Sequence, residues 1–383
     1  MRTAAAQSFF LSVVAVSVLL TGSLVLPAAA DGELRPLRDY PFSSASIWNV
    51  PIGDAAVYQR DMPGNETSII RNPDPFPDGG KPHAYPWLGR GVMTVYQATA
   101  ADPPVRWHYQ RRPQILPWPN SNPDGKGGGQ IVIRTPNDFS GQTVDGWSIL
   151  FEPAGRYYFE TWLPKVSKTD GTLDRIDVSF LAYNDACGTG FPNVPSTPSR
   201  HDGVRAPGIS LLGGLIRKKE LDTGLIPHAI AMVLSQWQLK AARTQPEQVV
   251  WPAYHTDNGS VGNYRGVIPM GSMFAIDAKT DLTTMGIKTR EGMMLATAYR
   301  DYGGYVVDTA DKTFVIASLE TGIAAPVADA LQQDIETIRN HLSLVSNNAS
   351  SAQSAAGSTG SKAPVPVGGG GAPLVKAPER GCS

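Results

Sequence analysis

Apolar and polar residues alternate in ten short blocks along the chain, and this period of two predicts β-strands. Turn-forming sequences such as Asp124-Gly125 and Thr169-Asp170-Gly171 separate several of these blocks. No regular alternation of strands with helices accompanies them, which disfavours a doubly wound parallel sheet. The pattern therefore predicts a mainly β fold, an antiparallel β-sandwich or jelly roll. The blocks are Val95–Gln97, Val105–Tyr109, Gln130–Arg134, Trp147–Phe151, Tyr157–Trp162, Ile176–Tyr183, Ala229–Leu234, Ser272–Ile276, Tyr305–Asp308 and Thr313–Ala317.

Helical periodicity is confined to the second half of the chain. Apolar residues recur at intervals of three and four from Val327 to Val345, which predicts a helix that packs on a sheet. A second helix is predicted from about Glu291 to Tyr302, and a short third one from Leu212 to Leu221. We therefore expect two or three packed helices in the C-terminal half.

The first thirty residues have the features of a secretory signal peptide. Arg2 supplies a positive start, Phe9–Leu26 is largely apolar, and Ala28–Ala30 is a small-residue cleavage site. A single-pass membrane anchor is the alternative, but polar residues interrupt the apolar stretch. We therefore expect a secreted protein, extracellular or periplasmic, without a membrane partner after signal cleavage.

The C-terminal residues 346–383 are rich in Ser, Ala, Asn, Gly and Pro and contain Gly368–Gly371. Such a segment has too little apolar surface to offset its ordering entropy, so we expect a flexible tail. Residues 31–345 are then expected to form a single β-rich domain.

Composition narrows the classes of partner. The chain has 33 basic and 34 acidic residues, and this balance argues against a nucleic-acid binder driven by a basic field. Two cysteines, Cys187 and Cys382, in an exported chain suggest one disulfide, with two free or intermolecular thiols as the alternative. Neither cysteine has the spacing of a zinc site.

The sequence contains no phosphate-binding loop, dinucleotide fingerprint, nucleophile elbow or helical zinc-protease motif, so any cofactor stays unknown. Candidate chemistry is concentrated between Arg205 and Asp257. His228 opens an apolar strand, where a fixed imidazole could act as a general base, and a hydrogen-bonded structural histidine is the alternative. Arg205 could neutralise a substrate carboxylate through a two-pronged contact.

A loop with aromatic, imidazole and carboxylate groups follows Trp251. His255 and Asp257 are two residues apart and face the same way if the chain is extended, which would suit a His–carboxylate pair or two metal ligands. With His201 they define a third hypothesis, a metal-dependent hydrolase. Ordinary turn chemistry at Asp257-Asn258-Gly259 is the alternative.

The predicted strand Tyr157–Trp162 alternates so that Tyr158, Glu160 and Trp162 share one face. Aromatic rings stack on the apolar faces of sugars and carboxylates bind their hydroxyls, so this face suits a polysaccharide groove. Trp251 is a further candidate for substrate binding. Glu152 would be a second carboxylate nearby, giving an acid and base pair with Glu160 for a glycoside hydrolase. The alternative is that one face is core and the other amphipathic surface.

Several blocks of the chain resemble a family of secreted bacterial proteins. The resemblance covers most of the mature chain and implies export and one compact unit, without a reaction that could be transferred. The blocks are Phe42–Asn49, Gly208–Ser210, Gly213–Arg217, Ile226–Ala229, Trp251–Ala253, Ile268–Gly271 and Asp301–Asp308, with the glycine-rich tail after Asn347-Asn348.

The site chemistry is also similar to that of jelly-roll polysaccharide lyases. Those enzymes combine a His or Tyr base with Arg and an Asn or Gln that neutralise a uronate carboxylate, and here the set would be His228, Tyr254, Arg205 and Gln236. The strand motifs of those enzymes are absent from the sequence. The leading hypothesis is a secreted carbohydrate-active enzyme, lyase or glycoside hydrolase, that cleaves a polysaccharide. The main alternative is a non-catalytic extracellular glycan-binding or envelope-associated module.

Overall fold

The computed structural model describes residues 36–43, 46–52, 56–86, 93–111, 122–123, 128–141, 145–190, 203–310, 312 and 314–348. Contacts divide the chain into Met1–Glu33 and Leu34–Ser383, and every described residue belongs to the second unit. The expected signal peptide lies outside the described residues, as does the expected tail apart from its first three residues. Residues 346–348 are described, and the Ser346 amide donates to the Val57 carbonyl while the Val57 amide donates to Asn347 Oδ1, so the ordered part extends into the expected tail. None of the described helices has the length and apolar character needed to cross a membrane.

Thirteen strands and five α-helices make up the described part of the chain. The strands are β1 (Ala84–Pro86), β2 (Thr94–Gln97), β3 (Pro104–Arg111), β4 (Asn122–Pro123), β5 (Gly129–Arg134), β6 (Ser148–Phe151), β7 (Tyr157–Thr169), β8 (Thr172–Asp185), β9 (Ile230–Ser235), β10 (Met273–Ile276), β11 (Gly304–Ala310), β12 (Phe314–Ala317) and β13 (Leu342–Leu344). The helices are α1 (Glu66–Arg71), α2 (Lys218–Thr223), α3 (Ser260–Asn263), α4 (Arg290–Asp301) and α5 (Ala325–Arg339). Two 3₁₀ helices, Gln245–Gln248 and Leu282–Thr284, are also present.

The strands form two mixed sheets. The six-stranded sheet has the order β1-β12-β9-β11-β10-β13, and the seven-stranded sheet has the order β2-β6-β7-β8-β3-β5-β4. Each contains two parallel pairs, β1/β12 and β9/β11 in the first and β2/β6 and β3/β8 in the second. The predicted mainly β sandwich is confirmed, but neither sheet is purely antiparallel. Parallel neighbours need long crossovers, and the one between β9 and β11 contains β10 and α4.

Apolar side chains separate the structure into layers. Phe151 and Tyr158 of the seven-stranded sheet belong to the same buried cluster as Ala231 and Val307 of the six-stranded sheet, so this cluster is the core between the sheets. The other face of the six-stranded sheet packs against α4 and α5, where Met232, Leu295 and Ile335 share a second core. The two faces of β9 are therefore both buried.

The seven-stranded sheet curls around a third core on its other face. The centroid of the Phe139 ring lies 4.9 Å from that of Tyr96 in β2 and 5.0 Å from that of Trp107 in β3. These strands are well separated in the order of the sheet, so one aromatic ring can touch both only if the sheet is strongly bent. The long β7–β8 hairpin closes through Asp170 and Gly171, both with positive φ.

All ten predicted strands are found, with ends shifted by a few residues. The predicted helix to Val345 is wrong in its last turn, because α5 ends at Arg339 and the chain then adds β13 to the edge of β10. The predicted third helix starts too early. A Cβ at Gly213 would lie 2.4 Å from the Trp48 ring, so the segment before α2 is a close-packed turn rather than a helix.

Candidate functional site

The candidate site lies at the carboxyl ends of the parallel strands β9 and β11. Gln236 follows β9, and Thr309 and Ala310 end β11. Crevices outside the carboxyl ends of parallel strands are common ligand sites. The opposite wall comes from the loop that leads into α3 and from α3 itself. Together they form a pocket of about 120 Å³ lined by Gln236, Asp257, Asn258, Ser260, Asn263, Tyr264, Thr309 and Ala310.

A buried glutamine holds the loop wall in place. The Gln248 side chain accepts a hydrogen bond from Ser260 Oγ at 2.7 Å and donates to the Ser260 carbonyl at 3.2 Å. The Thr256 hydroxyl lies 2.6 Å from Ser260 Oγ, and Gln245 Nε2 donates to the Asp257 carbonyl at 2.9 Å. Side chains that anchor both ends of a loop restrict its motion, so this wall of the pocket is preformed.

Asp257 is the charged group that lines the pocket. The Tyr264 hydroxyl donates to Asp257 Oδ2 at 2.6 Å. Burial raises the pKa of the Asp257 carboxyl, and the bond from Tyr264 opposes the shift. Burial and the adjacent carboxylate also raise the pKa of the Tyr264 phenol. The pair therefore offers the pocket a carboxyl whose protonation is shifted toward neutral pH.

Arg205 and Asp308 form a buried ion pair next to this carboxyl. Arg205 Nη1 and Asp308 Oδ2 are 3.5 Å apart, and neither atom has a hydrogen-bond partner within the described part of the chain. The Thr309 amide donates to the other oxygen of Asp308 at 2.9 Å. Burial raises the pKa of Asp308 to about 7, with Asp257 adding to the shift and Arg205 opposing it. Asp308 is thus electrostatically linked to the pocket, although Asp257 lines it.

Glu160 places a further carboxyl on the other side of Arg205. Its Oε1 accepts hydrogen bonds from the Ser210 hydroxyl and from the Leu211 amide, the latter at 2.9 Å. Its Oε2 accepts from the Val204 amide at 3.1 Å. Burial outweighs these bonds and raises the pKa of Glu160 to about 7. Because Glu160 is on β7, these bonds attach the seven-stranded sheet to the segment that carries Arg205.

The structure brings part of the predicted set to this region. Gln236 and Asp257 line the pocket, and Arg205 lies behind them beside Asp308. His255 is buried and hydrogen-bonds to the Ala206 backbone, and burial lowers its pKa. Two further candidates near this loop pack on the core between the sheets. Tyr254, the alternative base, is half-buried, and Trp251, the candidate for substrate binding, is buried.

His228 lies at the opposite end of β9. It precedes that strand and Gln236 follows it, and a strand rises about 3.3 Å per residue, so roughly 20 Å separates the two. His228 Nδ1 lies 2.8 Å from the Ala229 carbonyl and Nε2 lies 3.1 Å from Glu220 Oε2. Burial alone would lower the pKa of His228, but the Glu220 carboxylate offsets this and the net shift is upward. The predicted lyase set is therefore not assembled in one place.

Glu152 and Glu160 face opposite sides of the seven-stranded sheet. Glu160 pairs in register with Ile149 and faces the core between the sheets. Glu152 accepts a hydrogen bond at 3.1 Å from Tyr183, which belongs to the core on the other face. The sheet itself lies between the two carboxyls, so they do not share a cleft as a hydrolase pair.

The predicted sharing of a face by Tyr158, Glu160 and Trp162 agrees with the structure, but this face is not an open groove. Tyr158 and Glu160 are fully buried beneath the other sheet. Trp162 is half-buried, and the Arg111 guanidinium lies 5.7 Å from its ring centroid. A polysaccharide cannot reach the first two residues of this face.

The metal hypothesis involves residues that the structure does not group. His201 lies outside the described residues, and within the described ranges no three His, Cys, Asp or Glu side chains are arranged to hold a metal ion. Cys187 is disulfide-bonded, and its expected partner, Cys382, lies outside the described residues.

Sequence reasoning missed Asp308 and Tyr264. Asp308 follows the apolar run Tyr305–Val307, and a carboxyl at the end of a buried strand is the signal that could have found it. Tyr264 comes seven residues after Asp257, and nothing in their spacing indicates the hydrogen bond between them. No family model, curated protein or solved structure matches the chain.

Proposed function

We propose that this is a secreted protein that binds carbohydrate in the pocket between Gln236 and Tyr264. The observation that carries the proposal is the lining, in which seven of the eight residues are polar. Sugars present many hydroxyls that both donate and accept hydrogen bonds. Amide, hydroxyl and carboxyl side chains match such groups without the basic charge that a phosphate ligand would require.

The polar groups converge from both walls of the pocket. Gln236 and Thr309 come from the strand ends, whereas Asn258 precedes the short helix α3 and Asn263 is its last residue. Three amides supply both donors and acceptors, because each has a carbonyl oxygen and an NH₂ group. Since Gln248 and Ser260 hold the α3 wall in place, binding would require little ordering of the loop.

Two observations support export. The sequence begins with a segment that has the charge, apolar stretch and cleavage site of a signal peptide. In addition, Cys187 is disulfide-bonded, and structural disulfides persist mainly in oxidising compartments. A soluble glycan or a cell-envelope polysaccharide is the class of ligand that an exported protein would meet.

A second candidate function is hydrolysis of the bound glycan, favoured by the interaction between the carboxyls of Asp257 and Asp308. Glycoside hydrolysis uses two carboxyl groups. Protonated Asp257 would donate its proton to the oxygen of the departing sugar. Asp308 does not line the pocket, so it would accept the proton of the water that adds to the anomeric carbon only through an intervening water molecule. The separation of His228 from this region argues against the lyase alternative.

A glycan panel tests the proposal. Purified mature protein is assayed against neutral, acidic and amino polysaccharides for binding, for new reducing ends and for the ultraviolet absorbance of unsaturated uronates. Binding should weaken at least about tenfold in Gln236→Ala, the loss of one or two hydrogen bonds. Gln130→Ala, an exposed glutamine on β5, is the matched control and should bind normally. Reducing ends would support hydrolysis, and absence of binding to every glycan would refute the proposal.

A further inference from the structure

Carboxyl groups outnumber basic groups in the buried region behind the pocket. The charge of Asp308 interacts with Arg205, Asp257 and Asp145, and Arg205 also interacts with Glu160. Arg205 thus faces two carboxyls, Asp308 and Glu160, and two more, Asp257 and Asp145, act on Asp308. Burial raises the pKa of all four carboxyls and so opposes their ionised forms, which a cation bound nearby would favour.

A cation could approach these carboxyls through the pocket, because Asp257 lines it. Among the residues that line the pocket, Asp257 is the only charged one, and none is Lys, Arg or His. Behind it, the Asp308 side chain is 7% exposed, and its Oδ2 has no hydrogen-bond partner among the described residues. That oxygen already faces Arg205 Nη1 at 3.5 Å, and Asp308 does not line the pocket. The single charge of the lining therefore points to a ligand that brings a positively charged donor to Asp257.

We infer that the pocket selects an amino sugar, with the protonated amine donating to Asp257 and the sugar hydroxyls bonding to the surrounding amides. This inference rests on the proposed function and names its ligand class. An ammonium group offers three donors. One can bind Asp257 directly while its charge compensates Asp308 at longer range, as Coulomb energy falls only inversely with distance.

The rest of the pocket favours a sugar amine over a bare cation. A metal ion needs several oxygen ligands at close range, and the described residues contain no such group of three acidic or imidazole side chains. The carbonyl oxygens of Gln236, Asn258 and Asn263 could serve a hard cation, but their NH₂ groups could not. A sugar uses both, because its hydroxyls donate and accept hydrogen bonds.

The test compares two ligands that differ in one group. Calorimetry measures binding of a glucosamine tetramer and of the fully N-acetylated tetramer to the mature protein. N-acetylation removes the charge and two donors and adds an acetyl group with a carbonyl acceptor. We expect the free amine to bind at least about tenfold more tightly. Equal or tighter binding of the N-acetylated tetramer overturns the inference. Failure of both tetramers and of every other glycan refutes the proposed function itself.

Asp257→Asn tests the origin of this preference. The amide keeps the size of the carboxyl and an acceptor for Tyr264, so the fold should be retained. The variant should lose the preference for the amine and still bind the N-acetylated tetramer, whereas Gln130→Ala should keep the preference. Tight binding of the triamine spermidine or of Ca²⁺ to the wild type, equal to that of the amino tetramer, would show general cation attraction and overturn the sugar specificity.

Discussion

The guanidinium of Arg205 lies 3.5 Å from the carboxylate of Asp308, and both side chains are almost completely buried. Arg205 also stacks over Trp147, with its Cζ atom 5.6 Å from the ring centroid. The pair joins the segment before α2 to the end of β11, directly behind the pocket. Buried charges of this kind are costly when only one partner remains.

Arg205→Met should destabilise the protein by about 3–5 kcal/mol, because it leaves Asp308 and Glu160 buried without a positive neighbour. Adding Asp308→Asn to that variant should recover a large part of the loss. Chemical denaturation of the wild type, both single variants and the double variant gives the coupling free energy. A loss below about 1 kcal/mol in Arg205→Met would show that the ion pair contributes little.

Glu160→Gln should remove a pH dependence of stability. The pKa of Glu160 is about 7 in the folded protein against 4.5 in the unfolded chain, so the folded state binds more protons between these values. The contribution of Glu160 to stability is therefore full below pH 4.5 and decreases as pH rises toward 7. The loss amounts to roughly 3 kcal/mol by pH 8.

The measurement is the free energy of unfolding at pH 5 and pH 8 for the wild type and Glu160→Gln. Other titrating groups, including His228 and Asp308, are common to both proteins and cancel in the difference. The wild type should lose more stability than the variant between the two pH values. Parallel pH profiles would contradict the raised pKa of Glu160.

His228→Gln should reduce stability without changing glycan affinity, since His228 lies about 20 Å from Gln236 at the other end of β9. The raised pKa of His228 means that its contribution is full below pH 6.5 and is lost as pH rises through the folded value. Thermal unfolding at pH 6 and pH 9 tests the first statement, and calorimetry with a bound glycan tests the second. A large loss of affinity in folded variant protein would return His228 to the binding site.

Tyr264→Phe should weaken glycan binding several-fold while the protein stays folded. The change removes the hydroxyl that donates to Asp257 at 2.6 Å and leaves the ring in place. Without this donor the pKa of Asp257 should rise further, so the loss of affinity for an amino sugar should be larger at pH 5 than at pH 8. An affinity equal to that of the wild type at both pH values would exclude Tyr264 from ligand binding.

The sandwich could be predicted from the sequence because the alternation of side chains within each strand depends only on neighbouring residues. In β7, the alternation of Tyr158 and Glu160 with Phe159 is a property of three consecutive residues, and the structure retains it. The last turn of the predicted α5 shows the limit. Leu342 and Val345 continue the helical period, yet pairing of Leu342–Leu344 with β10 outweighs the local preference.

The pocket could be predicted only in part, because its residues meet through topology. Gln236 and Asp257 belong to a region already rich in polar groups. Asp308, in contrast, lies about a hundred residues after Arg205 in the sequence, and no periodic pattern encodes which distant segments become neighbours. Strand geometry also explains why His228 lies away from the pocket. His228 and Gln236 are close in sequence, but they lie at opposite ends of the extended strand β9.

A crystal structure of the mature protein with the tightest-binding oligosaccharide tests the central claim most directly. The account predicts a sugar ring in the pocket at the ends of β9 and β11, within hydrogen-bond distance of Gln236, Asp257 and at least one of the α3 asparagines. An oligosaccharide bound instead against Trp162 or elsewhere on the seven-stranded sheet, with this pocket holding only solvent, would contradict it.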